Sequence, residues 1–263
     1  MNYRGFEIKK SQHGYVIDFV MPDKLYDEYF ARLYCRGSLN DIADGEPHID
    51  WNIIKTEYSS DNIVAPMQVH KTEIIDCIAE NSLPHRDEAD GVFIDLFSTA
   101  LASLRFADCT PVVIAGIGEK SFMCALHSGF KGTLLNICSK AVSLAMHRTN
   151  CSAENIFAWI GPAIGYECYS RKKEDPVTRE AVKIFDKSNY LERGDYYYFD
   201  IKNEIKYRLN LCGLLPDRIY TFDACTYCKN EYFYSYRAGE KKKRNFLLCG
   251  LKKFDKTCEN IIG

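Results

Sequence analysis

Residues 122–147, FMCALHSGFKGTLLNICSKAVSLAMH, decide the fold class. They open on the apolar run Phe122–Leu126, which is strand length and enriched in residues that pack on a pleated surface. A glycine-bearing loop follows, His127-Ser128-Gly129-Phe130-Lys131-Gly132. The segment Thr133–His147 then places Leu134, Leu135, Cys138, Val142 and Ala145 on one helical face. A strand, a loop and a helix in immediate succession predict an α/β protein.

Working outward, β-type runs recur at Val92–Ile94, Pro111–Ala115 (PVVIA) and Ile156–Ile160 (IFAWI). Several are nearly continuous rather than alternating, as expected of strands covered on both faces. Gly14–Val20, Tyr196–Phe199, Arg218–Phe222 and Phe246–Cys249 also read as strands. Lys24–Leu33 carries Leu25, Tyr29 and Leu33 at four-residue spacing and predicts a short helix. Pro176–Phe185 begins with proline in the favoured first turn, and Asp200–Leu211 has an N-cap aspartate and a terminating Gly213, so both predict helices. The stretch 37–66 is dominated by polar and turn-forming residues and reads as loop-rich.

The 263 residues are 46% hydrophobic and 27% charged, an ordered globular mixture. Thirty-four basic residues against 36 acidic ones leave a formal charge of −2, which offers no field for nucleic acid or an anionic membrane. A small-molecule substrate is the expectation. Met1–Lys10 carries no signal-peptide pattern, no run reaches transmembrane length, and 12 scattered cysteines fit reduced thiols in a cytoplasmic protein. Cys225 and Cys228 form the one C-x-x-C, without the second pair of a zinc ribbon, and read as incidental rather than redox-active. The run Glu240–Arg244 (EKKKR) reads as a solvated loop.

Three segments each end on a metal-ligand type at the close of an expected strand: Gln68-Val69-His70, Ala107-Asp108-Cys109 and Ala125-Leu126-His127. Two imidazoles and a thiolate suit zinc, with a fourth position left for water or substrate. The spacings are long, so only the fold could assemble such a site. The same residues also fit packed core side chains, or a Cys109 nucleophile with His127 as base. Asp87, Glu88, Asp90 and Asp95 could supply an acid or orient an imidazole. The loop 127–132 offers two glycines, helix-start amides and the Lys131 cation, which suits an anion.

Gln68-Val69-His70, Glu88-Ala89-Asp90-Gly91, Ala107-Asp108-Cys109-Thr110-Pro111-Val112, the loop 127–132 and Gly161-Pro162-Ala163-Ile164-Gly165 resemble, in order, the motifs of the laccase-domain family, also called YfiH-like or polyphenol oxidase family proteins. Cys225-Thr226 and Ser235-Tyr236-Arg237 are similar to its C-terminal motifs, so the resemblance runs from about Ser38 to Leu251. It implies one α/β domain across 1–263, of YfiH-like or cysteine-hydrolase-like type, with layered mixed sheets flanked by helices. It implies zinc on His70, Cys109 and His127, with copper as an alternative. The implied activity is phosphorolysis of purine nucleosides (adenosine, inosine, guanosine, methylthioadenosine), with adenosine deamination beside it, by a monomer or homodimer. Amide hydrolysis in cell-wall precursor editing and copper-dependent phenol oxidation are its rivals. Within the resemblance, Asp90 and Lys131 become catalytic candidates, and Ser38, Ser128, Gly129, Lys131 and Arg237 become contacts for substrate or phosphate. Three departures stand out: Ser38-Leu39-Asn40 lacks the preceding Thr-Arg-x-Gly-Gly segment, Lys71 replaces a glycine, and Phe130-Lys131 replaces Trp-Arg. Lysine keeps the charge of that arginine without its bidentate geometry.

Overall fold

The computed structural model describes residues 3–256; positions 1–2 and 257–263, including Cys258, lie outside the described residues, as do those ends of the 1–263 domain reading. Side-chain alternation along the central strands sets the layering. Phe122, Cys124 and Leu126 face one core, whereas Met123 and Ala125 face another; Val112 and Ile114 alternate with Val113 and Ala115 in the same way. Strands apolar on both faces must be covered twice, and among the described residues two six-stranded sheets achieve this by packing on each other.

Phe6–Ser11, Gly14–Phe19, Tyr29–Tyr34, Asn245–Leu251, Leu101–Phe106 and Ile63–Val64 lie in that order across the first sheet. The second runs Ile219–Thr221, Ile156–Ile160, Thr110–Ile117, Ser121–Ser128, Gly91–Asp95, Ile74–Asp76. The middle pairings of the second sheet are antiparallel, and only its edges are parallel. Leu33, Leu104 and Leu247 of the first sheet meet Val113, Met123 and Trp159 of the second in the central core. Outside the second sheet, the helices Ile137–Thr149 and Ile201–Leu211 cover Phe93, Ile114, Leu126, Ile156 and Ile160 through Ala141, Ala145, Ile205 and Leu209. Outside the first, Leu39, Trp51 and Ile54 cover Phe30, Tyr34 and Leu248. The result is a mixed α/β domain with a helix, sheet, sheet, helix order of layers.

Four expectations change. Lys24–Leu33 is a helical turn over Asp23–Glu28 followed by the strand Tyr29–Tyr34, because residues four apart share a face in a strand as well as in a helix. Tyr29, Ala31 and Leu33 face the central core while Phe30 and Tyr34 face the outer one. The stretch 37–66 is not mainly loop: it holds the helices Ser38–Ala43 and Pro47–Ile54, the second with proline in its first turn. Thr133–His147 divides into Phe130–Leu134 and Ile137–Thr149 around Asn136 at φ 65°, which leaves Leu135 half exposed instead of on the buried face. Of the three ligand-bearing segments only 125–127 lies in a strand; 68–70 is extended loop, and 107–109 is the bend between Leu101–Phe106 and Thr110–Ile117.

Buried Asn245 holds the C-terminal strand to the approach to that bend. Its Nδ2 donates to the Phe106 and Tyr234 carbonyls, both at 3.0 Å, and its Oδ1 accepts the Tyr234 N–H at 3.1 Å. An Asn245→Leu variant orphans three buried backbone groups, and each such loss costs about 1–3 kcal/mol. We expect urea unfolding to show a destabilisation of at least about 2 kcal/mol; an unchanged midpoint would show these bonds to be dispensable.

Candidate metal centre

Gln68 carries His70 into place without a strand. Its side-chain amide pairs with the Arg105 backbone in both directions, Nε2 donating to the carbonyl and Oε1 accepting the N–H, each at 2.8 Å. The chain then turns over the Asp90 carboxylate. The N–H groups of Val69, His70 and Lys71 donate to it at 3.2, 3.0 and 2.7 Å, and His70 takes φ 59° to make this possible. The fully buried Asp90 accepts a fourth bond at 2.8 Å from Nδ1 of His127, whose N–H also donates to the Asp90 carbonyl at 2.7 Å. A carboxylate acceptor on Nδ1 fixes the tautomer and leaves Nε2 of His127 free to ligate.

The bend 107–109 supplies the thiol. Asp108, at φ 82°, accepts the Thr226 hydroxyl and the Arg237 N–H, both at 2.7 Å, and so ties the bend to two C-terminal segments. One ligand atom each from His70, Cys109 and His127 then lies within 4.8 Å of the others. Gly129 makes the approach possible: a Cβ there would stand 2.6 Å from Cys109 Sγ and 3.4 Å from a His70 ring carbon. Burial disfavours ionisation of Cys109 and His127, but each stabilises the charge of the other. With help from His70, the thiol is pushed down to about 6; with help from Asp90, the imidazole is pushed up to about 9. Burial raises Asp90 too, yet its bonds to His127 and the backbone amides hold it below the usual carboxylate range. A thiol whose ionisation is favoured by two adjacent imidazoles fits a transition metal, with one side open to a cleft of about 860 Å³.

The other sequence candidates are placed differently. Asp90 does not line the cleft; its carboxylate holds His127 and the backbone of 69–71. Ser128 is fully buried and bonded to Thr133 Oγ1 at 2.9 Å. Lys131 is exposed on the short helix Phe130–Leu134, into which loop 127–132 winds, and like Ser38 it lies outside the cleft lining. Arg237 does line it, with its guanidinium donating to the Cys168 and Ser170 carbonyls at 3.2 and 3.4 Å. Arg86, Arg105 and Arg244 join it there, and sequence reasoning missed all three. Arg105 is 7% exposed, its three guanidinium nitrogens meet no hydrogen-bond acceptor, and its nearest carboxylate, Asp50, stands 3.8 Å away. An arginine inside the apolar strand Leu101–Phe106 was the available signal.

Fold and site together define a layered α/β protein with a candidate His₂Cys metal centre under a cationic cleft. Residues 46–250 match the family described as multi-copper polyphenol oxidoreductase laccase, and the chain belongs to that family. Over 170 residues it is 31% identical to the purine nucleoside phosphorylase YfiH of Escherichia coli, covering 65% of this chain and 66% of that protein, slightly under two thirds of its length. It is 29% identical to the purine nucleoside phosphorylase RC0672 of Rickettsia conorii, covering 73% of this chain and 78% of that one. The crystal structure of a Bacillus licheniformis hypothetical protein, YfiH, superposes with TM-score 0.79 at 21% identity, over 95% of this chain and all of that one. Among the described residues no helix is long and apolar enough to cross a membrane.

Two substitutions test the geometry. Asp90→Asn removes the charge that orients His127, and we expect apparent metal affinity to fall about 10–100-fold by competitive chelator titration. Gly129→Ala is compatible with the local φ of −77°, so it should leave the circular dichroism spectrum intact while the new methyl displaces the thiol and lowers bound metal. Full metal occupancy in the alanine variant would argue against ligation by Cys109.

Proposed function

We propose that the chain is a zinc-dependent purine nucleoside phosphorylase acting on adenosine, inosine, guanosine or methylthioadenosine, with adenosine deamination as a second activity. The observation that carries this reading is Arg105, a buried guanidinium without a hydrogen-bond acceptor, lining the same cleft as His70, Cys109 and His127. The names of the relatives supply the substrate class. Two imidazoles and one thiolate suit zinc, which when bound would act as a Lewis acid toward substrate. Copper fits less well, since six histidines in the chain are too few for a trinuclear cluster with a blue-copper centre.

Arg105, with Arg86, Arg244 and Lys242 on the same cleft, would hold inorganic phosphate by charge-assisted bonds. A phosphate oxygen attacks the ribose C1′ as the bond from C1′ to the purine nitrogen breaks. The electron pair leaves with the purine, which gains, through solvent, the proton that hydrogen phosphate gives up, and ribose 1-phosphate remains. The cationic rim stabilises both the nucleophile and the departing base. Tyr169 and Tyr236 line the cleft as aromatic walls for a purine ring.

A second reading draws on the order Asp90, His127, Cys109, which has the form of an oriented base beside a thiolate and suits amide hydrolysis. One set of incubations separates the two. Metal-quantified protein with inosine or adenosine should release free base and ribose 1-phosphate only when phosphate is added. Cleavage of a muramyl L-amino acid amide without base release would reverse the assignment. Arg105→Gln should raise the KM for phosphate by about tenfold or more, as expected for a lost charge-assisted bond, and Arg105→Lys should recover part of it. Lys131→Ala should leave that KM within about twofold.

A further inference from the structure

Cys225 and Cys228 gain a third partner from a distant part of the chain. Cys168 ends the helical turn Tyr166–Cys168, and its sulfur lies 3.4 Å from that of Cys228; all three Sγ atoms fall within 4.8 Å of one another. Two backbone amides are aimed at Cys225 Sγ, from Gly165 at 3.0 Å and from Cys228 at 3.4 Å. N–H groups directed at a cysteine sulfur are the outer-shell contacts that orient and stabilise a ligating thiolate. Gly165 also leaves room for that sulfur, since a Cβ there would stand 3.3 Å from it. Three sulfurs converge from two chain segments, and one of the three cysteines, Cys228, is exposed enough for an ion to enter.

We infer that Cys168, Cys225 and Cys228 form a second metal site, separate from the His70, Cys109 and His127 centre, that takes a thiophilic closed-shell ion, Zn²⁺ or Cu⁺. Thiolate-only donor sets select such soft ions. On binding, three sulfur–metal bonds form and the thiol protons pass to solvent; no electron moves. The site joins the turn after Gly165 to the segment that carries Thr226, whose hydroxyl holds Asp108 beside Cys109. The carbonyl of Cys168 accepts Arg237, and the next residue, Tyr169, lines the cleft. The ion would therefore brace one wall of the cleft and need not touch substrate.

The test is metal stoichiometry on the full chain. Wild-type protein, stripped under reducing conditions, reloaded anaerobically with excess zinc and desalted, should retain two equivalents. Cys228→Ser and Cys168→Ala should each retain one, and Cys109→Ala should also retain one by losing the other site, so failure at either centre is told apart. Cobalt titration of the wild type should give thiolate charge-transfer absorption in two phases, one of which is absent in Cys228→Ser; this reading does not depend on every variant folding. A parallel cuprous titration under a competing chelator identifies the preferred ion. Equal metal content in wild type and Cys228→Ser, or a disulfide among the three cysteines in protein alkylated at lysis, would overturn the assignment.

Discussion

Asp90 gathers four hydrogen bonds on one buried carboxylate, three from consecutive amides of a loop and one from the imidazole at the end of a strand. An ionised carboxylate in that position would be costly without compensation. The four donors compensate it, and in doing so they force the loop 69–71 and His127 into one arrangement. His70 has no strand to hold it, and its φ of 59° is uncommon for a residue with a side chain. The carboxylate supplies the reason for that conformation, and the orientation of both histidines depends on it.

Asp108 performs the corresponding task for the thiol. It sits one residue before Cys109, in the left-handed region that aspartate tolerates better than most residues, and its two oxygens take the Thr226 hydroxyl and the Arg237 amide. The C-terminal segments thereby stand against a bend more than a hundred residues earlier in the chain. Asn245 closes the same region from the strand side. These polar clamps explain why short motifs scattered along the chain converge on a single cleft.

The charge of that cleft is not visible in the charge of the protein. A net of −2 over 263 residues is nearly neutral, yet Arg86, Arg105, Arg237, Lys242 and Arg244 line one concave surface with only three acidic residues among them. Lys242 and Arg244 belong to the run that reads as a solvated loop in sequence; it is a loop with Lys242 exposed, and both side chains also line the cleft. Lys131, the cation that a glycine-flanked loop singled out, faces solvent elsewhere.

Local pattern alone determined the strands Ile156–Ile160 and Tyr196–Phe199, the two capped helices near Pro176 and Asp200, and the α/β class. These depend on side-chain periodicity and caps, which act over a few residues. Residue chemistry with motif order likewise brought forward His70, Cys109 and His127. The tertiary structure decided the rest, because spacing of four could not separate strand from helix at Tyr29–Leu33, and no local rule brings a side-chain amide at Gln68 to the backbone of Arg105. It also set Asp90 against His127, the orienting one of the two roles its sequence allowed, placed Arg105 and not Lys131 on the cleft, and set Cys168 beside Cys225 and Cys228. Each of those outcomes depends on burial and on contacts between residues far apart in sequence, which are fixed only when the two sheets pack.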